Sequence, residues 1–284
     1  MTDIHWYPGH MAKTRRLLGE QLRRVDAVIE LCDARAPRST RNPDLDQLTR
    51  GKPRLLVLNK ADMAGGDDTS LWLRYFRAEG QECVKFTSTS GRIRDILAPV
   101  ECATYPVVER MRLRGAAKTA RLIVIGIPNV GKSTFINRIH GGAVAKASDR
   151  PGVTRAQQWV KVGEYLELMD TPGMLWPKLE DQRAARMLAF LGSVRDEVTD
   201  LEALAGGLLQ ELLAIAPEAV RARFKLPEAI KDAHPMELLE LACGGRGWLL
   251  AGARADITRG AALVLDEFRA GKVGRITLEK PDGK

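Results

Sequence analysis

The 284-residue sequence predicts an α/β fold followed by a smaller all-α helical domain. Three observations carry that prediction. An apolar run, Arg121-Leu-Ile-Val-Ile-Gly126, feeds a G-x-x-x-x-G-K-S loop ending at Lys132-Ser133, and the loop opens a helical pattern at Phe135, Ile136 and Ile139. Residues 25–32 are apolar enough for a buried strand and residues 54–58 read as another, the pattern of strands buried on both faces of a parallel sheet. Past Leu175 the pattern is helical throughout, punctuated by Gly206-Gly207, Pro227, Gly244-Gly245 and Gly247. The expected division is residues 1–177 and 178–284.

Composition narrows the class. A hydrophobic content of 45% with 28% charged residues is ordinary for a globular protein. No apolar run approaches the ~20 residues of a membrane span, and the N-terminus lacks the layout of a signal peptide, so the expectation is a soluble cytoplasmic protein with no membrane partner. Cys32, Cys83, Cys102 and Cys243 lack metal-ligand spacing and read as reduced thiols without a function. The net charge of +8 is unevenly spread. Residues 1–174 hold 28 Lys and Arg against 19 Asp and Glu, a surplus of nine, whereas residues 175–284 hold 16 against 17. The excess gathers at Arg15, Arg16, Arg23 and Arg24, at Arg35, Arg38 and Arg41, and at Arg110, Arg112, Arg114, Lys118 and Arg121. One such cluster is as readily a solvated face as a binding surface. Three of them beside a nucleotide loop favour RNA.

In chain order, the aromatic, Pro-Gly-punctuated segment Ile4-His-Trp-Tyr-Pro-Gly-His10-Met11 passes into a basic helix with Leu17, Leu18, Leu22 and Val25 on one face. The first strand ends in Asp33-Ala-Arg35, and a short helix spans residues 43–50. The second strand ends in Asn59-Lys60-Ala-Asp62. N-K-x-D is how P-loop GTPases read guanine. The Asp62 carboxylate would accept from N1–H and the exocyclic amine, which adenine does not offer, while Asn59 ties the loop to the phosphate loop and the Lys60 stem packs on the base. As a bare tetrapeptide the motif recurs by chance, but the carboxyl end of a strand is where parallel-sheet proteins bind ligands. A helix at residues 71–78 and a strand at 83–86 follow, ending in Thr87-Ser88-Thr89-Ser90, where a backbone N–H at Ser88 or Thr89 can meet guanine O6. Residues 99–120, with Pro99 and Pro106, read as a connection into the phosphate-loop strand.

In that loop Gly126 and Gly131 let the backbone curl, so that the stretch Asn129, Val130, Gly131, Lys132, Ser133, Thr134 surrounds phosphate. Lys132 reaches the β- and γ-phosphates and the Ser133 hydroxyl ligates Mg²⁺. Downstream, Pro151-Gly-Val-Thr154 offers a second Mg²⁺ hydroxyl at Thr154. Strands at 157–162 and 165–169 lead to Asp170-Thr-Pro-Gly173, a D-x-x-G in which Asp170 holds Mg²⁺ through water and the Gly173 N–H bonds the γ-phosphate. Helices are expected at 181–191, 196–205, 208–215, 217–224, 235–243 and 256–269.

The order of the motifs is itself informative. The only asparagines are Asn42, Asn59, Asn129 and Asn137, so no N-K-x-D follows Gly173, where a Ras-like chain would have it. If guanine is read in the usual way, the reading loop precedes the phosphate loop and the domain is circularly permuted.

With these motifs in place the chain resembles the circularly permuted GTPases of the ribosome biogenesis GTPase A (YlqF/RbgA) family. The matching residues are Trp6-Tyr-Pro-Gly-His10-Met11, Asp33-Ala-Arg35, Asn59-Lys-Ala-Asp62, Gly126 to Ser133, Pro151 to Thr154, Asp170 to Gly173, and in the tail Arg246-Gly247, Asp256 and Phe268-Arg-Ala-Gly-Lys-Val-Gly-Arg275-Ile. Departures are Tyr7 where Phe is commoner, Val153 where Thr is commoner, and Thr89 where Ala is usual. The resemblance implies a permuted Ras-like P-loop GTPase domain ahead of the helical domain. It also implies GTP and GDP as ligands, Mg²⁺ and K⁺ as cofactors, and the large (50S) ribosomal subunit with its rRNA and proteins as partner of a chain that is monomeric off the ribosome.

Ras-like enzymes place a water-orienting Gln after D-x-x-G, whereas this chain has Met174, which neither donates nor accepts usefully. The resemblance points to His10, whose imidazole can orient or deprotonate water, the alternative being that His10 caps or packs the aromatic segment. It likewise assigns Asn129 to K⁺. Two readings from other classes stand beside this one. One is an RNA-binding module whose hydrolysis is incidental, and the other a regulatory GTPase.

Overall fold

The computed structural model describes residues 9–115, 119–141, 158–162, 166–170, 181–194, 200–228, 230 and 233–281; the side chains of residues 9–15, Gln158 and Asp170 lie outside that description. The expected boundary at 177/178 lies outside it as well.

A six-stranded sheet in the order β3-β2-β1-β4-β6-β5 organises the described chain. β1 (Ala27–Asp33), β2 (Arg54–Asn59), β3 (Cys83–Lys85), β4 (Ala120–Gly126) and β6 (Leu166–Asp170) run parallel, and β5 (Gln158–Val162) pairs antiparallel with β6. The chain steps outward from β1 to β3 and then returns to the other side of β1 with β4, so the order reverses between β1 and β4. Ligands of open α/β sheets bind at such a reversal, beyond the carboxyl ends of the strands. The register aligns those ends, with Asp33 opposite Asn59 and Leu31 opposite Gly126.

Burial on both faces explains the largely apolar runs. On one face Leu18 and Leu22 of α1 (Gly9–Leu22) pack with Val28, Ile123, Ile125 and Met169. On the same face Trp72 and Phe76 of α3 (Gly66–Ala78) pack with Cys32, Leu56 and Leu58. Leu17, expected on the apolar face, is exposed instead. The opposite face carries Ile29, Val57, Val124 and Phe135, in a core continuous with Leu188, Leu208, Phe268 and Leu278 of the helical part. Glu30 interrupts the β1 run yet is buried, because Arg41 and Arg54 approach its carboxylate at 3.2 and 3.4 Å. Cys32, Cys83 and Cys243 are buried and Cys102 exposed, and burial pushes the Cys83 thiol up to about 12.

The elements depart from the sequence expectation where Gly and Pro were read as breaks. Residues 99–120 are mostly helix, because α4 (Arg94–Arg112) runs through both Pro99 and Pro106. Its Ile96, Val100 and Thr104, four residues apart, are buried as one stripe, and that burial outweighs the backbone bonds the prolines remove. Likewise α7 (Leu201–Ile215) is one helix through Gly206-Gly207, where two were expected, and α9 (Pro235–Arg246) continues through Gly244-Gly245. A Cβ at Gly206 would stand 2.5 Å from the Pro235 carbonyl oxygen, and one at Gly245 2.5 Å from that of Phe224. These glycines allow helices to approach closely rather than end them. The remaining elements are α2 (Asp44–Leu48), α5 (Lys132–His140), α6 (Gln182–Phe190), α8 (Pro217–Phe224) and α10 (Ile257–Arg269). Asp181, Asp200 and Asp256 cap α6, α7 and α10 through their side chains.

Candidate nucleotide site

At the carboxyl end of β4 the chain makes a tight loop. A Cβ at Gly126 would lie 2.7 Å from the Leu31 carbonyl oxygen, so only glycine lets the loop leave the sheet there. Gly131 caps α5 with φ 93°, and a Cβ on it would meet the Asn59 amide nitrogen at 2.6 Å. Both requirements select glycine, for two different steric reasons. No side chain caps α5, whose first-turn amides therefore form an anion-binding helix end. Lys132 is buried and its ammonium bends back across the loop to the Ile127 carbonyl at 2.8 Å, while Ser133 and Thr134 sit half-buried in the first turn. Curled backbone, helix end, lysine and hydroxyl together suit a nucleotide phosphate with its Mg²⁺.

The loop after β2 reaches this loop although some 70 residues of chain separate them. The Asn59 amide donates to the Val130 carbonyl at 2.8 Å, and its oxygen accepts from the Ser88 N–H at 3.1 Å and hydroxyl at 2.7 Å. One fully buried side chain thus joins the ends of β2, β3 and β4. Lys60, in the left-handed region at φ 58°, donates its ammonium to the Asn129 carbonyl at 2.6 Å. The Ala61 N–H bonds the Phe86 carbonyl at 3.1 Å, holding the two expected base-facing loops side by side, with Asp62 and Thr89 exposed on them. The structure therefore brings together Asn59, Lys60, Ser88, Asn129, Val130, Gly131 and Lys132. Thr154 and Gly173 lie outside the described residues, as do the side chains of His10 and Asp170.

The comparisons bear on this arrangement directly. The family model described as "50S ribosome-binding GTPase" matches residues 121–210. Ribosome biogenesis GTPase A of Bacillus cereus is 43% identical over 281 residues, covering 98% of this chain and 94% of that one. The chain belongs to the ribosome biogenesis GTPase A family. Among solved structures, GDP-bound YlqF superposes with a TM-score of 0.70 at 25% identity, covering 94% of this chain and 100% of that one. GNP-bound YlqF from T. maritima superposes at 0.66 with 26% identity over 95% and 99%. For a ribosome biogenesis GTPase A the match beginning at residue 121 is the permutation made visible, since it starts at the phosphate-loop strand and leaves the Asn59 loop upstream.

Sequence reasoning noted Asp33-Ala-Arg35 but gave it no role, and it missed its partners. Asp33 and Arg35 form a buried bidentate pair, Nε to Oδ1 at 2.9 Å and Nη2 to Oδ2 at 2.8 Å, and Asp33 also pairs with Lys60 at 3.1 Å. Burial alone would raise the Asp33 carboxyl pKa, but the Arg35 and Lys60 cations and the Arg35 hydrogen bonds outweigh it and hold the group well below the ordinary carboxylate range. Arg35 further donates to the Phe268 and Arg269 carbonyls at the end of α10, at 3.0 and 3.2 Å, where a cation suits the helix dipole. Arg269 in turn donates to the Ala189 and Phe190 carbonyls ending α6, at 2.8 and 3.1 Å. Just beyond α6 the Gly192 carbonyl accepts from the Asn129 amide at 2.6 Å, and the Ser193 hydroxyl donates to the Pro128 carbonyl at 2.9 Å. The circuit closes through Asn129 and Lys60. The signals in the sequence were a charged pair at the end of an apolar strand and the tail motif that contains Arg269; nothing there marks Gly192 or Ser193.

Proposed function

We propose that this chain binds and hydrolyses GTP as an assembly factor of the large ribosomal subunit, with residues 1–177 forming the permuted GTPase domain and residues 178–284 the helical domain. The observation that carries the reading is the Asn59 bridge, which locks an N-K-x-D loop to a phosphate loop that follows it in sequence. Asp62 reads the base, with the backbone N–H of Thr89 meeting guanine O6, since that of Ser88 is taken by the Asn59 oxygen. Val130, Gly131, Lys132, Ser133 and Thr134 surround the phosphates, with the Gly173 N–H on the γ-phosphate. Ser133, Thr154 and Asp170 are the residues to hold Mg²⁺, which when bound neutralises charge on the phosphate oxygens. Asn129, whose amide donates to the Gly192 carbonyl, is by resemblance the ligand for K⁺. His10 orients the attacking water, in place of the Gln that Met174 replaces. The basic surplus of residues 1–174 supports rRNA contact by a cytoplasmic chain that is monomeric off the ribosome.

One set of assays tests this, namely turnover with large subunits present, in K⁺ and in Na⁺. Asp62→Asn moves preference from GTP to xanthosine triphosphate, because the amide pairs with the xanthine 2-oxo group. His10→Ala keeps GTP affinity and loses roughly 10²-fold in stimulated kcat, the scale of a lost general base. Asn129→Ala abolishes the preference for K⁺. Retained GTP preference in Asp62→Asn overturns the base assignment, full stimulated turnover in His10→Ala overturns the histidine, and a K⁺ preference surviving Asn129→Ala overturns the K⁺ assignment.

A further inference from the structure

Beyond Arg269 the tail motif continues through residues 270–276. After α10 the chain turns at Gly271 (φ 71°) and Gly274 (φ 147°), and residues 275–279 run back along the loops that follow β1 and β2. The contacts fall on backbone groups directly after Asp62. The Ile276 N–H donates to the Met63 carbonyl at 3.1 Å, Arg275 Nε to the Ala64 carbonyl at 3.2 Å, and the Gly65 N–H to the Thr277 hydroxyl at 3.0 Å. The same stretch grips the loop after β1. The Leu278 N–H donates to the Arg35 carbonyl at 2.7 Å, and the Glu279 carboxylate accepts from the Arg38 and Ser39 amides at 2.9 and 3.2 Å and from the Ser39 hydroxyl. Trp72 Nε1 on α3 donates to the Glu279 carbonyl at 2.9 Å, so the far end is anchored to a helix.

The segment being held needs it. Asp62 is exposed, and Gly65, at the N-cap, and Gly66, the first helical residue, open α3 with no side-chain cap. A Gly-Gly hinge beside a recognition carboxylate is loose unless something fixes it, and recognition groups need placement within about 0.5 Å. We propose that residues 275–279 are a strap that positions Asp62, so that the end of the chain sets guanine selectivity. The proposal rests on the reading that Asp62 contacts the base. Arg275 and Thr277 are positioning residues in it, since they act only through the backbone of residues 64 and 65. The strap follows α10, whose end is bound to α6 through Arg269 and to Asp33 through Arg35, so movement of the helical part would be felt at the base.

The test compares affinity for GTP with that for inosine triphosphate, which lacks the 2-amino group that Asp62 reads. Arg275 is exposed, so Arg275→Gln leaves the fold intact even if Thr277→Val does not. Each substitution lowers the GTP-to-ITP ratio roughly fivefold, the equivalent of one hydrogen bond, and Thr277→Ser restores it. A loss of packing alone would weaken both nucleotides equally and leave the ratio unchanged. In the wild-type protein GDP binding also raises hydrogen-exchange protection of the Ile276 and Leu278 amides. An unchanged ratio in Arg275→Gln, while Asp62→Asn shifts to xanthosine triphosphate, overturns the strap alone. Failure of Asp62→Asn to shift overturns the reading beneath it.

Discussion

At the scale of residues, selection acts through groups with several partners at once. Asn59 satisfies donor and acceptor on three strand ends, and no other side chain of its size offers both at one site. Asp33 is the anionic counterpart, shared by Arg35 and Lys60 in the interior. A folded-state pKa below the unfolded value means that the unfolded chain takes up the proton first. The stability Asp33 supplies is therefore fully present above its ordinary value of about 3.8 and is lost as pH falls below that, through the folded value. Urea titrations from pH 6 to pH 3 should show Asp33→Asn less stable by about 3–5 kcal/mol at pH 6, since the buried Arg35 and the half-buried Lys60 lose their partner, with the gap to wild type narrowing only below about pH 4. A gap that is constant to pH 3 would mean the carboxylate is not held in its charged form by the pair.

At the scale of elements, glycine has opposite meanings at consecutive positions of one helix. Gly244 lies exposed in α9, where a Cβ would meet nothing within 4 Å, whereas Gly245 and Gly206 have carbonyl oxygens at 2.5 Å. Helix propensity alone favours alanine at all three by up to about 1 kcal/mol. Close backbone approach reverses the sign where a methyl must displace a carbonyl, at a cost of about 1–3 kcal/mol. Gly244→Ala should accordingly raise the denaturation midpoint, while Gly206→Ala and Gly245→Ala lower it. Stabilisation at all three would show that α7 and α9 do not approach their neighbours so closely.

At the scale of the whole molecule, the permutation redistributes connections without changing the sheet. The loops of β1, β2 and β4 still converge at the topological reversal, but the helical part is tied to them through Asn129, Arg35 and the strap rather than through one linker. The charge asymmetry belongs to this scale too. Arg16, Arg23 and Arg24 are exposed at the end of α1, away from the buried Leu18 and Leu22. Replacing the three with Gln should reduce the salt dependence of subunit binding by roughly one unit of log–log slope for each phosphate that is no longer neutralised. An unchanged slope, with binding abolished only on removal of residues 178–284, would move the RNA contact to the helices.

The sequence by itself determined what depends on local chemistry and periodicity. Residues 121–134 announce strand, glycine loop and helix because those residue types act on their own neighbours, and N-K-x-D preceding them is a fact of order that only a permuted arrangement of the usual parts accommodates. Helix starts at Asp181 and Asp256 and the largely apolar strands were legible for the same reason, whereas Asp200, expected inside a helix over 196–205, caps α7 instead. What only the tertiary structure decided involves partners far apart in the chain. Pro99 and Pro106 stay helical because burial of Ile96 and Val100 outweighs a local penalty, and Gly206 continues a helix because Pro235 is pressed against it. Arg269, Gly192 and Thr277 gain their roles from carbonyls and amides on segments folded against them, and backbone groups carry no mark in the side-chain code.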